Sequence, residues 1–322
     1  MNNMRKNKFV VLLLISLLIM TLFVGCTSNN QSNVKEPKEN SNEVSKSAVE
    51  YPLEIEDQFG NKLVFEKAPE KIVSLAPSHT EILFSLGLGD NLVGVTSFCD
   101  YPEEAKTKEQ VGSFKEINIE RIIELEPDMV FQYGPGDESI NNNLKEAGIK
   151  VISYEPETID EVINLIKTVG MITNKTEEAE KVTKEMIDKK NSIVEKTKDV
   201  EKVKVFYEIW HDPLTAAGPG SFMDELITLA GGDNIAKDAD SPYPQFDVEK
   251  LIERDPEVYL AAADMEERSP ESIKQRPGYE SITAIKNDKI YSLEPNIVSR
   301  PGPRIVEALE LVAKAIHPEL FK

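Results

Sequence analysis

Ser78 and His79 stand side by side at the start of an apolar helical pattern, in a chain that carries several acids. A serine, a histidine and a carboxylate are the parts of a hydrolytic triad, but neighbours in sequence cannot supply the nucleophile and base geometry, and no Gly-x-Ser-x-Gly elbow occurs in the chain. Enzymatic chemistry is therefore not expected. The three histidines, His79, His211 and His317, lie far apart and lack the paired spacing of a zinc site, so no metal centre is expected either. Better candidates are residues suited to holding something. Trp210, the single tryptophan, ends the strand-like run from Val203 and precedes His211-Asp-Pro213. Tyr133 precedes the turn Gly134-Pro-Gly136, where backbone can come close to a ligand. Phe98 and Phe114 sit in Ser- and Gly-containing loops after strand-like runs, and Arg300 is fixed by the rigid turn Pro301-Gly-Pro303.

These residues are carried by a pattern that occurs twice. Asn118-Ile-Glu-Arg-Ile-Ile-Glu-Leu-Glu-Pro-Asp-Met-Val130 matches Asp247-Val-Glu-Lys-Leu-Ile-Glu-Arg-Asp-Pro-Glu-Val-Tyr259 class for class at nearly every position. Each copy reads as a capped short helix, an acid-Pro-acid stop and an apolar strand, with Glu120 and Glu249 on equivalent first turns. A first-turn acid complements the helix dipole by a few tenths of a kcal/mol, which is reason enough for either one alone. Two further blocks repeat in the same order. Ser78 to Asp90 parallels Ser221 to Asp233, each with a hydroxyl N-cap, an acid three residues later and a glycine stop. Val151-Ile-Ser-Tyr-Glu-Pro156 parallels Ile290-Tyr-Ser-Leu-Glu-Pro295, and helical patterns follow near Ile159 to Ile166 and Arg304 to Ala315.

The fold class that follows is α/β, with two similar α/β lobes. Tyr51 to Phe65 alternates about Phe59-Gly60-Asn61 and predicts a hairpin at the start of the first lobe; Ile72 to Ala76 predicts a short buried strand. Between the copies, Ala179, Val182, Met186, Ile187, Ile193 and Val194 keep three- and four-residue spacing without glycine or proline. That predicts one long helix, roughly 30 Å at about 1.5 Å per residue, which as a single rigid crossover restricts the lobes to small relative motions. The expected organisation is a first lobe over 51–174, the joining helix over 175–198, a second lobe over 199–322, and a ligand cleft between the lobes.

Residues 1–25 predict a leader. Arg5, Lys6 and Lys8 precede the apolar run Phe9 to Val24, which is short for a membrane span and suits a signal segment. Phe23-Val-Gly-Cys26 is similar to a bacterial lipobox, so cleavage would leave Cys26 as a lipidated N-terminus, with the body outside the cytoplasmic membrane. Residues 26–50, rich in Asn, Ser, Lys and Glu, predict a flexible tether. Loss of the three leader cations takes the net charge of −20 to near −23, which argues against nucleic acid. Cys99 would then be the remaining thiol and no disulfide is available, so the fold rests on its core.

Taken together, Ile72 to Glu81, Val93 to Pro102, Val111 to Phe114, the Glu120 block, Tyr243 to Glu249 and Arg300 to Ile305 resemble the helical-backbone substrate-binding proteins of ABC importers, which carry cobalamin, ferric siderophores and haem. Phe98-Cys-Asp-Tyr-Pro102 and Ser241-Pro-Tyr-Pro-Gln245 most resemble the cobalamin branch. The resemblance spans residues 51–320. It implies a lipid-anchored receptor on the outer face of a bacterial cell membrane, monomeric and without a resident cofactor, that captures a cobalamin-type corrinoid; a ferric siderophore or haem is the alternative. It places Phe98, Phe114 and Tyr133 on the first-lobe wall of the cleft, with Trp210 and Arg300 facing them. His79, on a helix facing the cleft, is a further candidate contact. An acid is usual in this family where Asn296 stands here, and its amide could bond a corrin side-arm amide. The resemblance also implies that Glu120 and Glu249 dock onto a permease homodimer that works with its ATPase subunits.

Overall fold

A computed structural model describes residues 49–113 and 116–322. The expected leader, Cys26, nearly all of the tether and Phe114 lie outside the described residues.

The chain opens with the antiparallel hairpin β1 (Leu53–Glu56) and β2 (Lys62–Phe65), as its alternation and Gly60, at φ 81°, require. Asp57 holds this hairpin in place. Its Oδ1 accepts the backbone N–H groups of Phe59 and Asn61, and its Oδ2 accepts the N–H of Ser153 at 3.0 Å. Then come β3 (Ile72–Ser74), α1 (Pro77–Ser85), β4 (Leu92–Val95), α2 (Ile119–Glu124), β5 (Met129–Tyr133), α3 (Glu138–Glu146), β6 (Lys150–Tyr154) and α4 (Ile159–Ile172). Strands β3 to β6 form one parallel sheet in the order β4-β3-β5-β6.

Helix α5 (Thr176–Thr197) crosses to the second lobe. That lobe contains β7 (Val203–Trp210), β8 (Thr215–Ala216), α6 (Phe222–Leu229), β9 (Gly232–Asn234), α7 (Val248–Arg254), β10 (Val258–Ala262), α8 (Pro270–Lys274), α9 (Thr283–Lys286), β11 (Ile290–Leu293), α10 (Pro295–Val298) and α11 (Ile305–Ile316). Its parallel strands follow the order β9-β7-β10-β11, while β8 pairs antiparallel with the far end of β7. Numbered by their order within each lobe, both parallel sheets read second, first, third, fourth. The internal sequence repeat is therefore a repeat of topology, and the two-lobed α/β class read from the sequence is the class observed.

One repeated feature differs between the copies. Ser221 caps α6, its Oγ accepting the N–H of Asp224 at 3.2 Å. Ser78 does not cap α1. Pro77 takes the first helical position with its φ already suited to a helix, so the N-cap falls on Ala76 and Ser78 lies inside the first turn, 3.1 Å from Nδ1 of His79.

A continuous apolar core runs from the first sheet through α1, α4 and α5 to α6 and α11 of the second lobe. It includes Ile82, Phe131, Ile163, Ile166, Ile193, Leu226, Leu309 and Val312, each 4% exposed or less. Polar contacts reinforce this seam. Glu225 on α6 accepts the N–H of Ile159 at the start of α4 at 2.8 Å, and Lys189 on α5 pairs with Glu310 on α11 at 2.8 Å. The lobes thus share packed surface as well as a connecting helix.

Candidate ligand-binding cleft

In both sheets the parallel strands point their carboxyl ends at the same space. A cavity of about 320 Å3 lies there. The first lobe contributes Tyr133, the last residue of β5, and Glu155 to Glu157, which follow β6 directly. The second contributes Tyr207 and Ile209 from β7, Phe222 and Met223 from α6, Tyr243, and the stretch around Val298, Ser299 and Pro301. Among the described residues the lining is aromatic and aliphatic, with two carboxylates and no lysine, arginine or histidine.

Burial and the nearby Glu155 and Glu157 carboxylates raise the phenol pKa values of Tyr133 and Tyr243, so both remain neutral hydroxyls. Each can donate one hydrogen bond and accept others, while Glu155 and Glu157 only accept. The polar part of the wall is therefore rich in acceptors.

The residues anticipated from sequence separate into three groups. Tyr133 lines the cavity. Phe98 and Trp210 are exposed at the surface, by 55% and 44%; Trp210 directly follows the cavity-lining Ile209, whereas Phe98 has no lining residue beside it in the chain. The Trp210 ring is held with its Nε1–H donating to the carbonyl of Asp212 at 3.0 Å and with the Arg268 guanidinium 5.5 Å from its centre. His79, Asn296 and Arg300 do not line the cavity.

His79 is fully buried, its ring 3.9 Å from that of Phe131 and 5.8 Å from that of Tyr133. Loss of solvent lowers its pKa to about 3, against a smaller opposing effect of the Tyr154 backbone. It is a neutral packing residue one layer behind Tyr133.

Arg300 is committed elsewhere. Its Nη1 donates to Asp100 Oδ1 at 2.6 Å and Glu81 Oε1 at 3.2 Å, and its Nη2 donates to Asn296 Oδ1 at 2.7 Å. Arg304 adds two hydrogen bonds to the same carboxylate, Nε to Oε2 at 2.9 Å and Nη2 to Oε1 at 2.6 Å, and lies 3.8 Å above the Tyr101 ring. Glu81, on α1 of the first lobe, is 3% exposed. A buried first-lobe carboxylate therefore binds two second-lobe arginines on one flank of the cleft.

Glu120 and Glu249 occupy the first turns of α2 and α7, capped by Asn118 and Asp247. Both side chains are exposed and without an ion-pair partner among the described residues. In a parallel α/β lobe the start of such a helix lies on the side of the strand carboxyl ends, so both acids belong to the cleft-bearing face.

Sequence reasoning passed over Glu155, Glu157 and Tyr243 as site residues. Glu155 lay within the repeated Ser-x-Glu-Pro block, immediately after a strand, and that position at a strand's carboxyl end was the available signal.

Two lobes of one topology, facing each other across a cavity at their strand ends, define a protein that holds a ligand between two walls. The chain belongs to the periplasmic binding protein family, whose model matches residues 72–297. It is 31% identical over 315 residues to an uncharacterised ABC transporter substrate-binding lipoprotein, YvrC, of Bacillus subtilis, covering 95% of this chain and 96% of that one. It is 31% identical over 246 residues to a vitamin B12-binding protein of Vibrio campbellii, covering 76% and 88%. The crystal structure of a possible iron-binding, periplasmic solute-binding protein of Staphylococcus epidermidis matches with a TM-score of 0.69 at 30% identity, covering 78% of this chain and 100% of that one. The family is one of substrate-binding proteins rather than catalysts.

Proposed function

We propose that this protein captures a cobalamin-type corrinoid in the interlobe cleft, as a monomer, and delivers it to an ABC permease homodimer with its ATPase subunits. The observation that carries the proposal is the chemistry of the cavity. A corrinoid offers a broad apolar ring edged with amide arms, for which aromatic walls and hydrogen-bond acceptors are suitable partners. Tyr133, Tyr207, Phe222 and Tyr243 supply the first, and Glu155 and Glu157 the second. An anionic ferric chelate or a haem propionate calls for cations, yet among the described residues the lining has none and the two adjacent arginines are bound to Glu81. A volume of about 320 Å3 encloses only part of a macrocycle, so the ligand extends beyond it, where exposed Trp210 and Tyr243 offer further ring faces.

A ferric siderophore or haem is the second reading, supported by the likeness to the Staphylococcus epidermidis protein. Titration of the Trp210 fluorescence with cyanocobalamin, haem and a panel of ferric siderophores separates the two. Saturable quenching by cyanocobalamin is expected, and a response confined to haem or a siderophore transfers the assignment.

Docking is assigned to Glu120 and Glu249, whose unpaired carboxylates occupy equivalent places on the two lobes and suit a two-fold partner. Glu120→Arg and Glu249→Arg should leave ligand affinity intact and reduce uptake. Loss of ligand binding in either variant would refute the assignment. Attachment to the outer face of the cell membrane is assigned to lipidated Cys26; among the described residues no helix is long and apolar enough to cross a membrane. Metabolic labelling with a fatty acid, lost in Cys26→Ala, tests this.

A further inference from the structure

We infer that Glu81 determines the charge class of ligand the cleft accepts, by holding Arg300 and Arg304 out of it. The inference rests on the reading of the cleft as a site for an uncharged or cationic ligand. Arg300 sits between Ser299 and Pro301, both of which line the cavity, and Arg304 precedes Ile305, which lines it as well. Two guanidiniums therefore originate at the cavity wall, and neither contributes to its lining. Both turn toward the first lobe, where Glu81 accepts three of their hydrogen bonds at 2.6 to 3.2 Å and Asp100 takes another at 2.6 Å.

The carboxylate has no competing use. It is 3% exposed, and among the described residues its side-chain hydrogen bonds all come from these two arginines. Asp100 is only half of the arrangement: its pKa is lowered by the Arg300 hydrogen bond and charge against an opposing cost of burial, so it stays ionised, but it reaches Arg300 alone. In Glu81→Gln, Arg300 loses one of its two carboxylate partners and keeps Asp100, so its guanidinium is held less firmly beside the cavity. A partly buried cation that has lost compensation turns to the nearest wet or anionic surroundings. Beside Ser299 and Pro301 that place is the cleft, and a ligand carboxylate or iron-bound oxygen anion is the group a guanidinium fork binds. Selectivity of this kind works by exclusion: the arginines are present, and Glu81 keeps them from rewarding an anion.

The test compares haem, a dianionic macrocycle, with cyanocobalamin, using full-length body protein of wild type, Glu81→Gln, Glu81→Gln/Arg300→Gln and Asp100→Asn. Haem affinity should rise by about tenfold in Glu81→Gln, the scale of one interfacial charge pair. The gain should shrink as salt is raised and should disappear in Glu81→Gln/Arg300→Gln. Asp100→Asn, which leaves Glu81 in place, should give a smaller gain in the same direction and reports on the idea even if Glu81→Gln does not fold. Unchanged haem affinity in both single variants, or a gain that survives loss of Arg300, overturns the inference. The wild-type titration with cyanocobalamin judges the corrinoid reading separately, since the change in haem affinity is measured between variants and does not depend on it.

Discussion

Two buried carboxylates, Glu208 and Glu81, do different work because of where their partners come from. Glu208 is 0% exposed on β7 and is bound by Arg276, at 2.6 and 3.0 Å, and by the Tyr259 hydroxyl; all three belong to the second lobe. Desolvation and the Glu208 charge push the Tyr259 phenol far above its ordinary range, so it remains a donor. Glu81 is almost as buried, yet its partners lie more than 200 residues away on the other lobe. The first network fixes the shape of one wall. The second fixes one wall against the other, and its failure should alter the cleft before it alters the fold.

Breaking the comparison at its stronger end should have the largest effect. Glu208→Gln leaves Arg276 without a counter-charge inside a packed lobe and should lower unfolding free energy by about 3 to 5 kcal/mol in a denaturant titration. Glu81→Gln should cost less, about 2 kcal/mol, because Arg300 and Arg304 stand near the cleft and can regain water while Arg300 keeps Asp100. Equal costs for the two substitutions would erase the distinction.

His79, two residues before Glu81 on the same helix, sharpens it further, because it is buried without a counter-charge. Its folded pKa of about 3 lies below the ordinary value of 6.5, so the unfolded chain binds its proton first and stability falls as pH drops from 6.5 toward 3. The loss at pH 5 should be about 2 kcal/mol, and His79→Gln should flatten that part of the pH profile of unfolding. The exposed end of the scale is Glu310, whose pKa is lowered to about 2 by hydrogen bonds from Lys189 and Lys314. Its contribution is present above its ordinary pKa of 4.5 and is lost as pH falls through about 2. At neutral pH Glu310→Gln should cost about 1 kcal/mol or less, since solvent screens a partly exposed cluster.

Much of the fold was legible because its signals are local. Asn118 and Asp247 are side-chain caps, and Pro127 and Pro256 follow the helices they announce, so two equivalent helix-strand units could be read directly. The long joining helix was expected over 175–198 and runs over Thr176–Thr197, as its unbroken apolar spacing dictates. The candidate site was less legible. Tyr133 was identified from its turn, and the glycines after it do take φ near +70°. Ser78 was misread as a cap because Pro77 starts the helix earlier. Arg300 was recognised as important and its partner Glu81 was not, since no spacing rule relates residue 300 to residue 81.

The sequence by itself determined the duplicated α/β plan, the long helix between the copies and the matched first-turn placement of Glu120 and Glu249, because caps, stops and apolar periods act within a turn or two of backbone. Tertiary structure alone decided which side chains face the cavity and what charge they bring to it. Glu155, Tyr243 and the arginines at 300 and 304 take their roles from neighbours supplied by the opposite lobe, and electrostatics between residues so distant in the chain exists only once the strand ends of the two lobes have been brought to the same cleft.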